Sequence, residues 1–187
     1  MFPRKLNLKS NLLQVSLFVV IFYTITTFGQ ETNTTESSKD VMTSVFNDVW
    51  RPFMESYREL DIEKFKSLQA NELTKVAIDR NTIQTKSAYF AEIEGFFNQF
   101  KQLKRQLDIK FSILSSASGD GKIYQTGYYG MGARQSDSES FQTMGYGYFT
   151  VVLIKEDGYW KISLDADKRS AINEDEFRKS DVIYELD

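Results

Sequence analysis

Near Leu103 the apolar residues of this chain change their period. Upstream, Val41, Val45, Val49, Phe53 and Tyr57 recur every four residues, with Met42, Phe46, Trp50 and Met54 beside them. Tyr89, Phe90, Ile93, Phe96, Phe97, Phe100 and Leu103 also repeat at helical spacing. Downstream, Leu107, Ile109, Phe111 and Ile113 alternate with polar residues. A period near 3.6 makes an apolar stripe on a helix, and a period of 2 makes an apolar face on a strand. Helices followed by a run of strands predict an α+β domain, with the helices on one face of the sheet.

Local signals divide these halves further. Asp40 is placed to cap a first helix of about five turns. Pro52 lies inside it, and a missing donor plus a steric clash predict a kink or break near Val49. Asp61 is placed to cap a short second helix, IEKFKSLQ, with Ile62, Phe65 and Leu68 inward. LTKVAID, residues 73–79, sets Leu73, Lys75 and Ala77 against Thr74, Val76 and Ile78, which reads as a short first strand. Arg80-Asn81 is a turn signal, and Thr82 to Leu103 reads as a third helix. Four main strands follow, with turns at SGDG and EDG and the polar loop RQSDSES between them. Gly127, Gly130, Gly132, Gly145 and Gly147 fall inside strands, where glycine marks bulges and bends. A strongly curved antiparallel sheet with a concave side is expected.

The ends and the composition narrow the function. MFPRKLNLKSN is basic, LLQVSLFVVIFYTITTF is apolar, and Thr27-Phe-Gly29 offers small residues for cleavage. That order is the order of a secretory signal peptide, so residues 1–29 are expected to be removed and the protein exported, to the periplasm or beyond; the alternative is an uncleaved anchor helix, for which Gln14, Ser16 and the Thr-rich end make a poor span. Residues 30–39 read as a polar linker. The chain carries 23 Lys and Arg against 26 Asp and Glu, a net charge of −3, and loss of Arg4, Lys5 and Lys9 takes it to −6. An acidic chain without a basic stripe argues against nucleic acid, and against a membrane surface once the signal is cleaved. There is no Cys and no His. Disulfides, thiol nucleophiles, histidine bases and zinc sites built on either residue are excluded, so acid–base work falls to Asp, Glu, Lys or Tyr.

The last hairpin sets which residues share a face. An Asp157-Gly158 two-residue turn pairs Glu156 with Tyr159 and Leu153 with Ile162. Without a bulge it also pairs Val151 with Leu164 and Phe149 with Ala166. Phe149, Val151, Leu153, Trp160, Ile162, Leu164 and Ala166 then form the concave face, and Asp165 and Asp167 point outward. A bulge would reverse sides for every residue beyond it. DADKRSAINEDE, 165–176, partly matches a calcium loop. Arg169 stands where a ligand is needed and Ser170 where the tight-turn Gly is needed. A strand end, with Asn173 capping a short helix and Glu176 three residues on, accounts for it better.

VWRPFMESYRELDIEKFKSLQANELTKV resembles the opening of nuclear transport factor 2-like (cystatin-like cone) domains, and GYFTVVLIKEDGYWKISLDAD resembles their closing hairpin. IYQTGYYG is similar to the strand before it. The resemblance covers roughly residues 40–170, leaves 171–187 as a tail with a short capped helix, and points to small exported bacterial members of unassigned role. It implies a cone of three N-terminal helices on a curved antiparallel sheet of four main strands plus a short first one. It also implies a homodimer through the outer sheet face. Such cones host isomerases, dehydratases, cyclases and plain binding modules, so fold does not deliver function. The expected lining of the cone is Trp50, Phe53, Tyr57, Asp79, Arg80, Tyr89, Phe97, Tyr129 and Trp160, a set suited to a small hydrophobic ligand. No catalytic residue, cofactor or metal is expected. With Asp165 and Asp167 outward, a non-catalytic binding or dimerising module leads. The alternative is an isomerase, dehydratase or cyclase that uses a buried carboxylate and a Tyr.

Overall fold

A computed structural model of the chain describes residues 38–187. The expected signal peptide and all but the last two residues of the expected linker lie outside the described residues. The first helical segment begins as α1 (Ser38–Val45) and continues as α2 (Arg51–Glu59). Between them Phe46–Trp50 forms a π-helical turn, with the Arg51 N–H donating to the Phe46 carbonyl. The physical cause is Pro52. Its ring crowds the carbonyl four residues back, at Asp48, and it has no N–H to give. Widening the helix by one residue at this point relieves both problems. The expected kink is therefore a π turn, and Val49 and Trp50 remain buried within it.

α3 (Ile62–Ser67) starts at Asp61, whose carboxylate accepts from the Glu63 and Lys64 N–H groups at 2.9 and 3.0 Å. β1 (Gln69–Ala77) is longer than the expected 73–79. A short 3₁₀ turn, Ile78–Arg80, and Asn81 at φ 51° reverse the chain into β2 (Thr82–Gln84). The third helix, α4 (Lys86–Gln102), begins later than expected, because Thr85 caps it by accepting from the Ala88 N–H at 3.2 Å. β-branched Thr82 and Ile83 pair with β1 instead.

The long strands are β3 (Gln106–Gly119), β4 (Lys122–Arg134), β5 (Gln142–Glu156) and β6 (Tyr159–Ser170). α5 (Glu174–Phe177) and β7 (Val182–Tyr184) close the chain. The seven strands of the described residues form one sheet in the order β2-β1-β6-β5-β4-β3-β7. It is mixed rather than purely antiparallel, since β1 lies parallel to β6. Register shifts interrupt the β3–β4, β4–β5 and β5–β6 ladders. The first falls opposite Gly127 and the second between Met131 and Gly132, so two of the three sit at the strand glycines that predicted curvature.

The helices and the concave face of the sheet share one core. Trp50 packs on Phe111 and Phe149, with ring centroids 4.6 and 5.3 Å apart. Its indole N–H donates to the Gln125 Oε1 at 2.9 Å, which satisfies a fully buried amide. The tail packs on the opposite face. Phe177 is buried beside Tyr146, and Glu174 accepts from Lys110 and Tyr146 at 2.8 and 2.6 Å. Asn173 caps α5 as expected, accepting from the Glu176 N–H at 2.9 Å. The strand and cap together account for DADKRSAINEDE.

Candidate functional site

The decisive irregularity is in β6. Leu153 pairs with Ile162 as the turn predicts, but Val152 pairs with Leu164, which leaves Ser163 as an extra residue. Its hydroxyl donates to the Val152 carbonyl at 3.0 Å. Past this bulge every side chain changes side. Val151 now faces Asp165 and Phe149 faces Asp167, while Leu164 and Ala166 turn to the outer face. The expected outward placement of the two aspartates is thus overturned: both line the concave cavity.

Lys75 makes this possible. Parallel pairing sets it across from Asp165. Its ammonium lies 3.0 Å from the Asp165 Oδ1 and 2.8 Å from the Asp167 Oδ1. The second oxygen of each carboxylate is also engaged. Tyr89 donates to the Asp165 Oδ2 at 2.8 Å, and Tyr129 to the Asp167 Oδ2 at 3.2 Å. Buried carboxylates persist only when paired and hydrogen-bonded in this way. The Lys75 ammonium also sits 4.7 Å over the Tyr89 ring. Burial pulls the Lys75 pKa down, but Asp165 and Asp167 more than reverse this and hold it above the ordinary value. Burial, then the field of Asp165, pushes the Tyr57 and Tyr89 hydroxyls up; burial and Asp167 do the same for Tyr129. All three stay neutral and can donate. Among the described residues no group hydrogen-bonds the Tyr57 hydroxyl.

The cavity holds about 280 Å³, near the lower end of small-molecule pockets. Apolar rings form its depth, and the Lys75 cluster forms one wall. Arg80 and Glu92, 3.1 Å apart and each about half exposed, also line it. Burial opposes ionisation of Glu92, but hydrogen bonds from Gln84 and Arg80 outweigh it and hold the carboxyl below its usual range.

Of the residues expected to line the cone, Trp50, Phe53, Tyr57, Arg80, Tyr89 and Tyr129 do so. Asp79 does not; it is exposed and accepts from the Arg169 N–H at 2.7 Å, which secures the end of β6. Phe97 lies behind the wall, edge-on to Tyr57 at 5.1 Å. Trp160 is buried on the other side of the bulge, under the Lys155 ammonium, with its backbone N–H bonded to Asp48 at 3.1 Å. The missed residues are Lys75, Asp165 and Asp167. One signal for them was present: Lys75 shares its strand face with Leu73 and Ala77, a cation on an apolar face.

Helices packed into a curved mixed sheet, with a cavity between them, is a shape that solved structures share. No protein-family model and no curated protein matches the chain. Aln2 from a Streptomyces species superposes with a TM-score of 0.61 at 15% identity, over 71% of this chain and 92% of its own. A nuclear transport factor 2-like protein of unknown function from Shewanella oneidensis matches with a TM-score of 0.51 at 15% identity, over 67% and 98%. This is the nuclear transport factor 2-like fold. A candidate dehydratase of the nuclear transport factor 2-like family from Streptomyces avermitilis shares it, with a TM-score of 0.53 at 11% identity, over 72% and 99%. At these identities the likeness is one of fold, and chemistry has to be argued from the cone's own residues.

Proposed function

We propose that the cone is the active site of an enzyme that moves a proton on a small, largely apolar molecule. The observation that carries this is the pair Asp165 and Asp167, turned by the Ser163 bulge into the cavity that holds the Tyr57, Tyr89 and Tyr129 hydroxyls. Asp167 is the proton acceptor. Its side chain is 30% exposed against 9% for Asp165, and its tyrosine bond is the longer of the two. Tyr57 is the donor that holds the substrate oxygen. Asp167 takes a proton from the carbon next to a carbonyl, and the electron pair moves onto the carbonyl oxygen under the Tyr57 hydroxyl. Return of the proton at another carbon is isomerisation. Departure of a β-hydroxyl as water, carrying the proton that Asp167 took, is dehydration, and attack on a second carbonyl, whose oxygen takes that proton, is cyclisation.

The test is deuterium exchange. Purified protein in heavy water is incubated with a panel of small cyclic ketones and enones and followed by NMR. Exchange at the α-carbon is expected, falling roughly 10²–10⁴-fold in Asp167→Asn. Binding without exchange across the panel would remove catalysis and leave a binding module.

The described surface also supports self-association. On the outer face the Tyr128 and Tyr148 rings pack at 5.7 Å, Val152, Ile154, Leu164 and Ala166 stay partly uncovered, and Tyr124 is 43% exposed. We propose that two copies meet there, beside the area that α5 covers. A monomer in sedimentation at micromolar concentration would refute it. Export through residues 1–29 is part of the same proposal, checked by N-terminal sequencing of the protein recovered outside the cytoplasm.

A further inference from the structure

The charges that line the cavity do not balance. Among the described residues five charged side chains face it: Lys75, Arg80, Glu92, Asp165 and Asp167. Arg80 and Glu92 pair with each other at 3.1 Å. Among the described residues Lys75 makes the ion pairs to both remaining carboxylates, at 3.0 and 2.8 Å, while Arg80 feels only the more distant field of Asp167. One negative charge is therefore in surplus. The Tyr89 and Tyr129 hydroxyls solvate it, but they are neutral and do not cancel it.

Much of the rest of the wall is aromatic, beside the aliphatic Ile93, Ile109, Met131, Val151 and Ile162. Trp50, Phe53, Tyr57, Phe111, Tyr129 and Phe149 line the cavity, and aromatic faces carry the negative end of the ring quadrupole. A ring presented face-on and a surplus carboxylate both attract a cation, and both disfavour a second anion. The surplus is reachable at Asp167, the more exposed of the two acids. Lys75 is held in place by both carboxylates and by the Tyr89 ring.

We propose that the molecule this cavity takes carries a positive charge, as a protonated amine or quaternary ammonium seated between Asp167 and the aromatic wall. This rests on the reading of the cone as a small-molecule site, and it names the substrate class. The same charge count disfavours carboxylate and phosphate compounds.

Calorimetric titration with three probes of similar ring and different charge tests it: benzyltrimethylammonium, benzyl alcohol and phenylacetate. The cation is expected to bind one-to-one, at least about tenfold tighter than the alcohol, and phenylacetate is expected to give no heat. In Asp167→Asn the preference for the cation should collapse toward that for the alcohol. The comparison of probes on the unaltered protein stands without that variant. Equal binding of cation and alcohol, tighter binding of phenylacetate, or no binding by any of the three would overturn the inference. Exchange on neutral ketones without a cation preference sinks this inference and leaves proton transfer standing. A cation preference without exchange does the reverse.

Discussion

Lys75→Met keeps the unbranched stem of the side chain and removes its charged end. In the folded protein Lys75 is the cation between two carboxylates, and its side chain is 7% exposed. Without it, Asp165 and Asp167 are left as neighbouring negative charges with only tyrosine hydroxyls to solvate them. Breaking a buried ion pair from one side costs about 3–5 kcal/mol. That is a large part of the roughly 5–15 kcal/mol that holds a domain folded. For a chain of this size it corresponds to a fall in Tm of roughly 6–20 °C. Urea and thermal denaturation followed by circular dichroism at pH 7 measure it. The triple variant Lys75→Met with Asp165→Asn and Asp167→Asn should recover most of the loss, because replacing a whole buried ionic group is often close to neutral. A loss under about 1 kcal/mol in the single variant, with the triple variant no better than the sum of its parts, would refute the bulged register.

Three further outcomes follow from the same contacts. A Cβ on Gly147 would overlap the Tyr129 ring, so Gly147→Ala should displace that ring, break its bond to Asp167 and cost about 1–3 kcal/mol by denaturant titration; an unchanged midpoint would contradict this. Lys75, Tyr57, Tyr89 and Tyr129 all have folded pKa values above their ordinary ones. Their contribution is complete below about pH 10 and is lost as pH rises further, because the unfolded chain releases protons that the folded one keeps; stability that stays flat into strong alkali would refute it. Hydrogen bonds from Lys110 and Tyr146 hold the Glu174 carboxyl down to about 2. Its contribution is whole above the ordinary glutamate value of about 4.3 and is lost as pH falls toward 2. Protection of the β7 amides, taken relative to the intrinsic exchange rate at each pH, should fall over that window, and Glu174→Gln should remove the dependence.

What was legible in the amino acids was local. The two hydrophobic periods placed helices before strands, and Asp61 and Asn173 capped the helices they precede. Asp157-Gly158 set the hairpin register as far as Ile162. Pro52 marked the irregular turn, although burial of Val49 and Trp50 decided that the helix would widen rather than break. β2 was hidden because Thr82 and Ile83 look like the first residues of a helix until a neighbouring strand offers them hydrogen bonds.

The site was hidden for a different reason. The bulge falls at Ser163, where no glycine announces it. Its reward lies about ninety positions earlier in the chain, in Lys75, which neutralises Asp165 only after β1 has paired with β6. Alternation along a strand is local, so it told which residues of β6 share a face. Which face is the cavity depends on one inserted residue and on a distant cation, and those meet only in the folded sheet.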